Sequence, residues 1–235
     1  MTTQKGMKKF FSTLSLTSPS AHKPELYVFD NSCSEMKNNL NAAPHRNPII
    51  PFIRHNAEPG ETIKLYIIAC IGDSTDGRMI LSDNKDWDSQ ELINRHKERY
   101  IEEVEAAKTD IGFNYELEVI YVKGIKNDDH LKLVQDIVSR VEDNDIIFMD
   151  ITYGLRTIII SQFLSLTYCY KVRQGVSIGS LSYGQKYGSV RSRIYNLNAF
   201  FLFNQTINNL GDLPSPELFI DSILGNLITG DEENE

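Results

Sequence analysis

Between Thr62 and Tyr170 the sequence alternates apolar runs with longer segments of three-to-four-residue apolar spacing, and that order leaves few architectures open. TIKLYIIACI (62–71), YELEVIYV (115–122) and IIFM (146–149) read as strands, the first and last buried on both faces. Ser89 to Lys108 places Leu92, Ile93, His96, Tyr100, Ile101 and Val104 on one helical stripe, where His96 is expected as a packed histidine. After Gly124 a second amphipathic helix holds Leu131, Val134, Val138 and Val141 on one side, with Asn127 or Asp128 as its cap. TIIISQFLSLTYCY (157–170) reads as a third helix, apolar for most of its length. Parallel strands joined by right-handed helical crossovers satisfy this order, so an α/β, Rossmann-like, doubly wound and mostly parallel sheet is predicted.

The flanks are less regular. KFFSTLSL (9–16) reads as a first strand and Leu26 to Phe29 as a short second one, with the loop TSPSAHKP (17–24) between them. Residues 31–59 break every period and are read as an irregular insertion carrying short elements. His45, Arg46, Arg54 and His55 within it could line a site, but solvated loop positions are the commoner role for such residues and the expected one. Val176 to Tyr183 and Ile194 to Asn196 are expected to pair as a C-terminal β-hairpin, followed by a helix from Leu197 to Asn208. Residues 1–210 are assigned to one domain, and 211–235 to a C-terminal helix (Pro216 to Ile228) and the acidic tail DEENE.

Composition narrows the function. A chain of 235 residues with 41% hydrophobic and 24% charged residues has room for one α/β domain with a substantial core. A net charge of −8 argues against a nucleic-acid surface, yet it is unevenly spread. Ile151 to Gly211 contains no Asp or Glu and carries +6, leaving −14 on the rest. That acid-free stretch is compatible with a bound polyanion and equally with a buried helix. Cys33, Cys70 and Cys169 stand far apart with no CxxC pair, so neither a disulfide framework nor a metal site is expected, and the chain reads as reduced and cytoplasmic. The basic start MTTQKGMKKFF lacks a signal peptide's apolar core, and the apolar run 158–170 falls short of the roughly 20 residues that cross a bilayer. No membrane span, DNA partner or cofactor is expected. No G-x-G-x-x-G follows any strand, which disfavours a dinucleotide, and the tripeptide Glu35-Met36-Lys37 is too short to indicate a metal nuclease.

One junction fits an anion. In DIIFMDITYGLR (145–156) a buried strand passes into the apolar helix, and at the carboxyl ends of parallel strands a helix start presents free N–H groups to a ligand crevice. Thr152 is expected to cap the helix, Gly154 to let backbone approach the ligand, and Arg156 to offer a fork of donors to phosphate. Asp150 is expected to hold the loop by accepting backbone N–H bonds. Gly72, Asp73 and Ser74, in the turn after the 62–71 strand, face the same crevice.

These residues carry a resemblance. Asp150-Ile151-Thr152-Tyr153-Gly154-Leu155-Arg156 is similar to the D-x-T-H-G-[FLI]-R signature of the CARF proteins, the CRISPR-associated Rossmann-fold sensors of type III CRISPR systems. Tyr183-Gly184 matches the Tyr-Gly pair that commonly ends the family's next strand, and Asn196-Leu197 its step into a helix. The resemblance holds in order and spacing from Tyr115 to Asn208 and is looser before. Tyr153 stands where the family most often has His, no Pro follows Arg156 at the usual spacing, and Ser15 to Ser18 replace a Gly-rich turn after the first strand.

The resemblance implies a homodimer that binds a cyclic oligoadenylate, tetra- or hexa-adenylate, across its two-fold axis, with no cofactor. The ligand-binding residues it implies are Ser15, Thr17 and Ser18, the turn Gly72 to Ser74, Thr152 to Arg156 including Tyr153 and Leu155, and Tyr183, Gly184, Gln185 and Lys186. Arg156 and Lys186 would serve catalysis if the messenger is cleaved. An effector nuclease is not expected, because 27 residues follow Asn208 and no R-x4-6-H motif occurs. Two functions then stand side by side. One is a metal-independent ring nuclease that cleaves the messenger and switches off signalling; the other is a non-catalytic sensor module that signals to a partner or to an effector domain of a longer protein. An unrelated nucleotide-binding Rossmann-like domain is the third reading.

Overall fold

The structure, a computed structural model, describes residues 6–29, 44–71, 78–80, 86–123, 126–185 and 192–207. The chain divides into two units, residues 1–197 and 198–235. In chain order the first carries β1 (Lys8–Thr13), β2 (Tyr27–Phe29), α1 (Ile49–Asn56), β3 (Thr62–Ile71), β4 (Arg78–Ile80), β5 (Asp86–Asp88), α2 (Ser89–Ile111), β6 (Asn114–Lys123), α3 (Asn127–Val138), β7 (Ile146–Asp150), α4 (Arg156–Val172), β8 (Ser177–Gln185) and β9 (Ser192–Asn196). The second unit carries α5 (Asn198–Ile207). The helix expected at 216–228 and the acidic tail lie outside the described residues.

Seven strands form one sheet in the order β2-β9-β8-β7-β1-β3-β6, and β4 and β5 make a separate antiparallel pair. β6, β3, β1, β7 and β8 run parallel. β9 turns back antiparallel to β8 as the expected hairpin, and β2 pairs parallel to β9. The Rossmann-like, mostly parallel sheet read from the strand-helix order is therefore the observed architecture. Beginning at β1, the chain builds outward through β3 and β6 and then returns to lay β7 and β8 on the other side. The sheet's switch point, where ligands bind in such folds, lies at the carboxyl ends of β1 and β7.

Alternation along the strands sorts side chains between two layers. Phe10 of β1, Ile63, Leu65 and Ile67 of β3, and Phe148 of β7 join Ile49, Phe52 and Ile53 of α1 and Ile93, Tyr100 and Val104 of α2 in one core, where the Phe10 and Phe148 rings stack 4.4 Å apart. Thr13 turns to the opposite face, its hydroxyl donating to Gln162 of α4 at 3.3 Å. At the amino end of the sheet, buried Lys9 pairs with buried Asp145 at 2.6 Å and donates to the Arg140 carbonyl at 2.6 Å. Asp145 also accepts from the amides of Met7 and Glu142, so both oxygens of this buried carboxylate have donors.

Within 31–59, read as irregular with short elements, residues 49–56 form such an element, a helix whose Ile49, Ile50, Phe52 and Ile53 are buried; Pro51 is tolerated because it sits in the first turn, where an N–H has no helical partner. Three other expectations are corrected. His45, expected in solvent, is buried. In α3 the buried positions are Leu133 and Ile137, with Val141 just beyond, whereas Leu131 is 63% exposed; neither Asn127 nor Asp128 caps the helix, whose N-cap position is Lys126. α2, by contrast, has side-chain and glycine caps at its two ends: Asp88 accepts from the Glu91 amide at 2.8 Å, and Gly112 closes the helix at φ 88°.

Candidate functional site

β7 ends at Asp150, opposite Ser12 of β1. Asp150 is buried, and its Oδ1 accepts from the Thr152 amide at 3.3 Å and the Thr152 hydroxyl at 2.5 Å, the loop-holding role expected for it. Its Oδ2 is buried with no hydrogen-bond partner. Removal from water pushes its carboxyl up to about 7, against the opposing effect of the Thr152 hydrogen bonds. Thr152 does not cap α4 as expected. Its Oγ1 instead accepts from the Gly184 amide at 2.7 Å, tying the end of β8 to the turn after β7, while Leu155 holds the N-cap position without a side-chain bond.

The two glycines of the junction are required by close approach. Gly154 has φ 103°, and a Cβ there would lie 2.7 Å from Thr13 Cγ2. A Cβ on Gly184 would lie 2.8 Å from Pro48 Cγ and 3.1 Å from Thr152 Oγ1. Arg156 is the first residue of α4, exposed, and without an ion pair among the described residues. Four consecutive backbone N–H groups at such a helix start lack helical acceptors, and the dipole end is positive. The amides of Ile158 and Ile159 here reach the Leu155 carbonyl at 2.9 and 3.3 Å. Tyr183, near the end of β8, is 37% exposed.

The loop after β1 is held from within and from α2. Leu14 donates its amide to the Ile68 carbonyl at 2.9 Å. Ser15 Oγ and Thr17 Oγ1 lie 2.7 Å apart, Ser18 Oγ and Ser20 Oγ 3.2 Å, and the Thr17 amide donates to Ser15 Oγ at 3.2 Å. Ser15 and Ser18 are buried, so their hydroxyls serve the loop itself, and Thr17 alone of the three is partly exposed. From α2, His96 Nε2 meets the Thr17 carbonyl at 2.8 Å and Arg99 donates to the Pro19 carbonyl.

Tyr153 turns inward. Its hydroxyl donates to the Arg46 carbonyl at 2.9 Å and lies 3.2 Å from His22 Nε2 and 3.4 Å from the Tyr27 hydroxyl. His22 Nδ1 faces His96 Nδ1 at 3.2 Å, and His22 Nε2 faces the Arg46 carbonyl at 3.1 Å. Behind them Glu103 accepts from the Arg46 amide at 2.6 Å and from Asn47 Nδ2 at 2.9 Å. Burial pushes His22 down to about 4, aided by His96, and pushes His96 down as well. Sequence reading placed His96 in the core and named Arg46 as able to line a site while expecting it in solvent, but missed His22, Asn47 and Glu103. No local spacing links residues 74 positions apart, and His22 falls in a stretch of loop chemistry.

The structure thus brings Thr152, Tyr153, Gly154, Leu155, Arg156, Tyr183, Gly184 and Gln185 to one sheet edge together with the Ser15 to Ser18 loop. Gly72, Asp73, Ser74 and Lys186 lie outside the described residues. Among the described residues no cluster of His, Cys, Asp and Glu is arranged to hold a metal ion, and no helix is long and apolar enough to cross a membrane.

No family model and no curated protein matches the chain. Among solved structures it is similar to Enterococcus italicus Csm6 bound to cyclic hexa-2'-fluoro-hexa-dAMP, at 14% identity over 97% of this chain and 56% of that one, with a TM-score of 0.38. The chain spans about half the length of that protein, a likeness too distant to assign residues.

Proposed function

We propose that the chain binds a cyclic oligoadenylate at the carboxyl ends of β1, β7 and β8, as one half of a two-fold cradle, and cleaves it as a metal-independent ring nuclease of type III CRISPR antiviral defence. The observation that carries this reading is the seven-residue signature of 150–156, which folds at the switch point of the sheet with Arg156 exposed at the start of α4. The stretch 151–211, which runs through α4, β8 and β9, contributes six Lys and Arg and no Asp or Glu of its own. A cyclic, symmetric ligand suits a two-fold dimer because each subunit meets half the ring with the same patch.

Chemically, the ribose 2′-oxygen attacks its own neighbouring phosphorus. The 5′-oxygen leaves with the proton that the 2′-hydroxyl gives up, and a 2′,3′-cyclic phosphate remains. Arg156 and the α4 amides stabilise charge on the non-bridging oxygens, with Lys186 as the second cation, and positioning supplies the in-line geometry. A non-catalytic sensor is the competing function. It is favoured by one observation: within the signature Asp150 is buried and only Arg156 is an exposed charge, so no proton acceptor stands open there. Excess chain incubated with cyclic tetra- and hexa-adenylate in EDTA, with products separated by chromatography, distinguishes them. Conversion to 2′,3′-cyclic phosphate products supports the nuclease; bound but intact ligand leaves the sensor.

A further inference from the structure

Two backbone carbonyls, Thr17 and Arg46, flank two imidazoles in a single line: Thr17 O, His96 Nε2, His96 Nδ1, His22 Nδ1, His22 Nε2, Arg46 O, with contacts of 2.8, 3.2 and 3.1 Å between the members. A carbonyl only accepts, so each end of the line needs an N–H, and the central contact needs one proton between the two Nδ1 atoms. Three protons are required, and two neutral imidazoles carry two.

With two protons, two of the three contacts can be made, and the third sets two lone pairs against each other: at the Thr17 carbonyl, between the two Nδ1 atoms, or at the Arg46 carbonyl. In the last case the Tyr153 hydroxyl, 3.2 Å from His22 Nε2, relieves the clash by turning its proton to His22 and giving up its 2.9 Å bond to the same carbonyl. With a third proton on His22 Nε2, every contact in the line is made, and Tyr153 keeps the Arg46 carbonyl.

We propose that His22 and His96 form a one-proton latch that joins the loop after β1 to the segment before α1 and to the signature residue Tyr153, and that it takes up its third proton when an anion binds at the β1/β7 crevice. The ligand half of this inference rests on the function proposed above. The groups facing the pair are Arg46 beside β2 and α1, Arg99 and Glu103 from α2, Tyr27 from β2 and Tyr153 after β7. Arg46 and Arg99 repel the added proton and burial opposes it, which holds the pair neutral in the free protein. Bound phosphate charge offsets those cations and draws the proton in from solvent. Loop and signature are then locked together on the occupied site.

Two measurements test this on the full chain. In the ligand-free protein, long-range ¹H–¹⁵N NMR of the imidazoles across a pH titration should show the Nδ1 signals of His22 and His96 moving together in one step, well below the ordinary histidine range. Independent titration of the two rings near 6.5 would overturn the latch. With cyclic tetra-adenylate as probe, calorimetry at pH 6 in two buffers of different ionisation enthalpy should show uptake of about one proton per chain, and affinity rising by up to about tenfold per pH unit of acidification. His96→Gln should remove the uptake while binding at pH 8 persists. Binding without proton uptake would overturn the coupling. Absence of any binding would defeat the proposed function and the coupling with it, and the ligand-free titration would still decide the latch.

Discussion

The amide of Gly184 donates to the hydroxyl oxygen of Thr152 at 2.7 Å, and this bond fixes the end of β8 against the turn that follows β7. Thr152 in turn gives its own proton to Asp150, so one hydroxyl connects a buried carboxyl, the signature turn and the next strand. The Tyr-Gly pair of 183–184 and the signature of 150–156 are thereby one structural unit rather than two motifs.

Gly184→Ala tests that unit. The added methyl meets Pro48 Cγ at 2.8 Å and Thr152 Oγ1 at 3.1 Å, so either the helix α1 entry or the Thr152 bond gives way. The expected cost is about 1–3 kcal/mol of stability, typical of overpacking, read as a lowered urea midpoint. An unchanged midpoint would mean the β8 end is not held against Thr152.

Asp150 gives the fold a signed pH response. Its folded value of about 7 lies above the ordinary 3.8, so the folded state binds the extra proton and stability falls as pH rises between those values, the loss being complete above about 7. Asp150→Asn removes this response. Its thermal midpoint relative to wild type should rise from pH 5 to about pH 7 and level off above that. His22 and His45, pushed down to about 4 by burial, act oppositely and cost stability as pH drops from 6.5 towards 4. A difference between wild type and Asp150→Asn that stays constant with pH would contradict the burial of this carboxyl.

The Lys9–Asp145 pair holds the amino end of the sheet. Both side chains are 2% exposed, and Asp145 also receives the amides of Met7 and Glu142. Lys9→Met leaves that carboxylate buried without its cation and is expected to cost about 3–5 kcal/mol in chemical unfolding. Replacing Asp145 as well, by Leu, should recover part of the loss, since a pair replaced together costs less than one broken.

The layered fold was legible because β3, β7 and α2 carry clear patterns: Leu65 to Ile71 of β3 is continuously apolar, and Leu92, Ile93, His96, Tyr100 and Val104 recur on one stripe that the structure buries. α3 misled because its apolar arc is wide. Val134 and Val138 flank the buried line of Leu133 and Ile137 closely enough to suggest a stripe one position off, drawing in exposed Leu131. α1 was hidden by its two prolines, one before the helix and one in its first turn, which look like breakers in sequence and are harmless where they fall. At the site, the anion-ready position of Arg156 followed from the strand-to-helix change. The inward turn of Tyr153 and its contact with His22 depended on pairing across 131 residues, which no local pattern encodes.

The most direct test of the account is a titration of cyclic tetra- and hexa-adenylate into wild-type chain and Arg156→Ala, followed by fluorescence anisotropy or calorimetry at fixed salt. Arg156 is exposed and unpaired among the described residues, so its loss should leave the unfolding free energy within about 0.5 kcal/mol of wild type. Binding of one or both rings by the wild type, weakened about 100-fold or more in the variant, is the expected result. Equal affinity in the two proteins, or no binding of either ring by the wild type, would contradict a phosphate cradle at the β7–α4 junction.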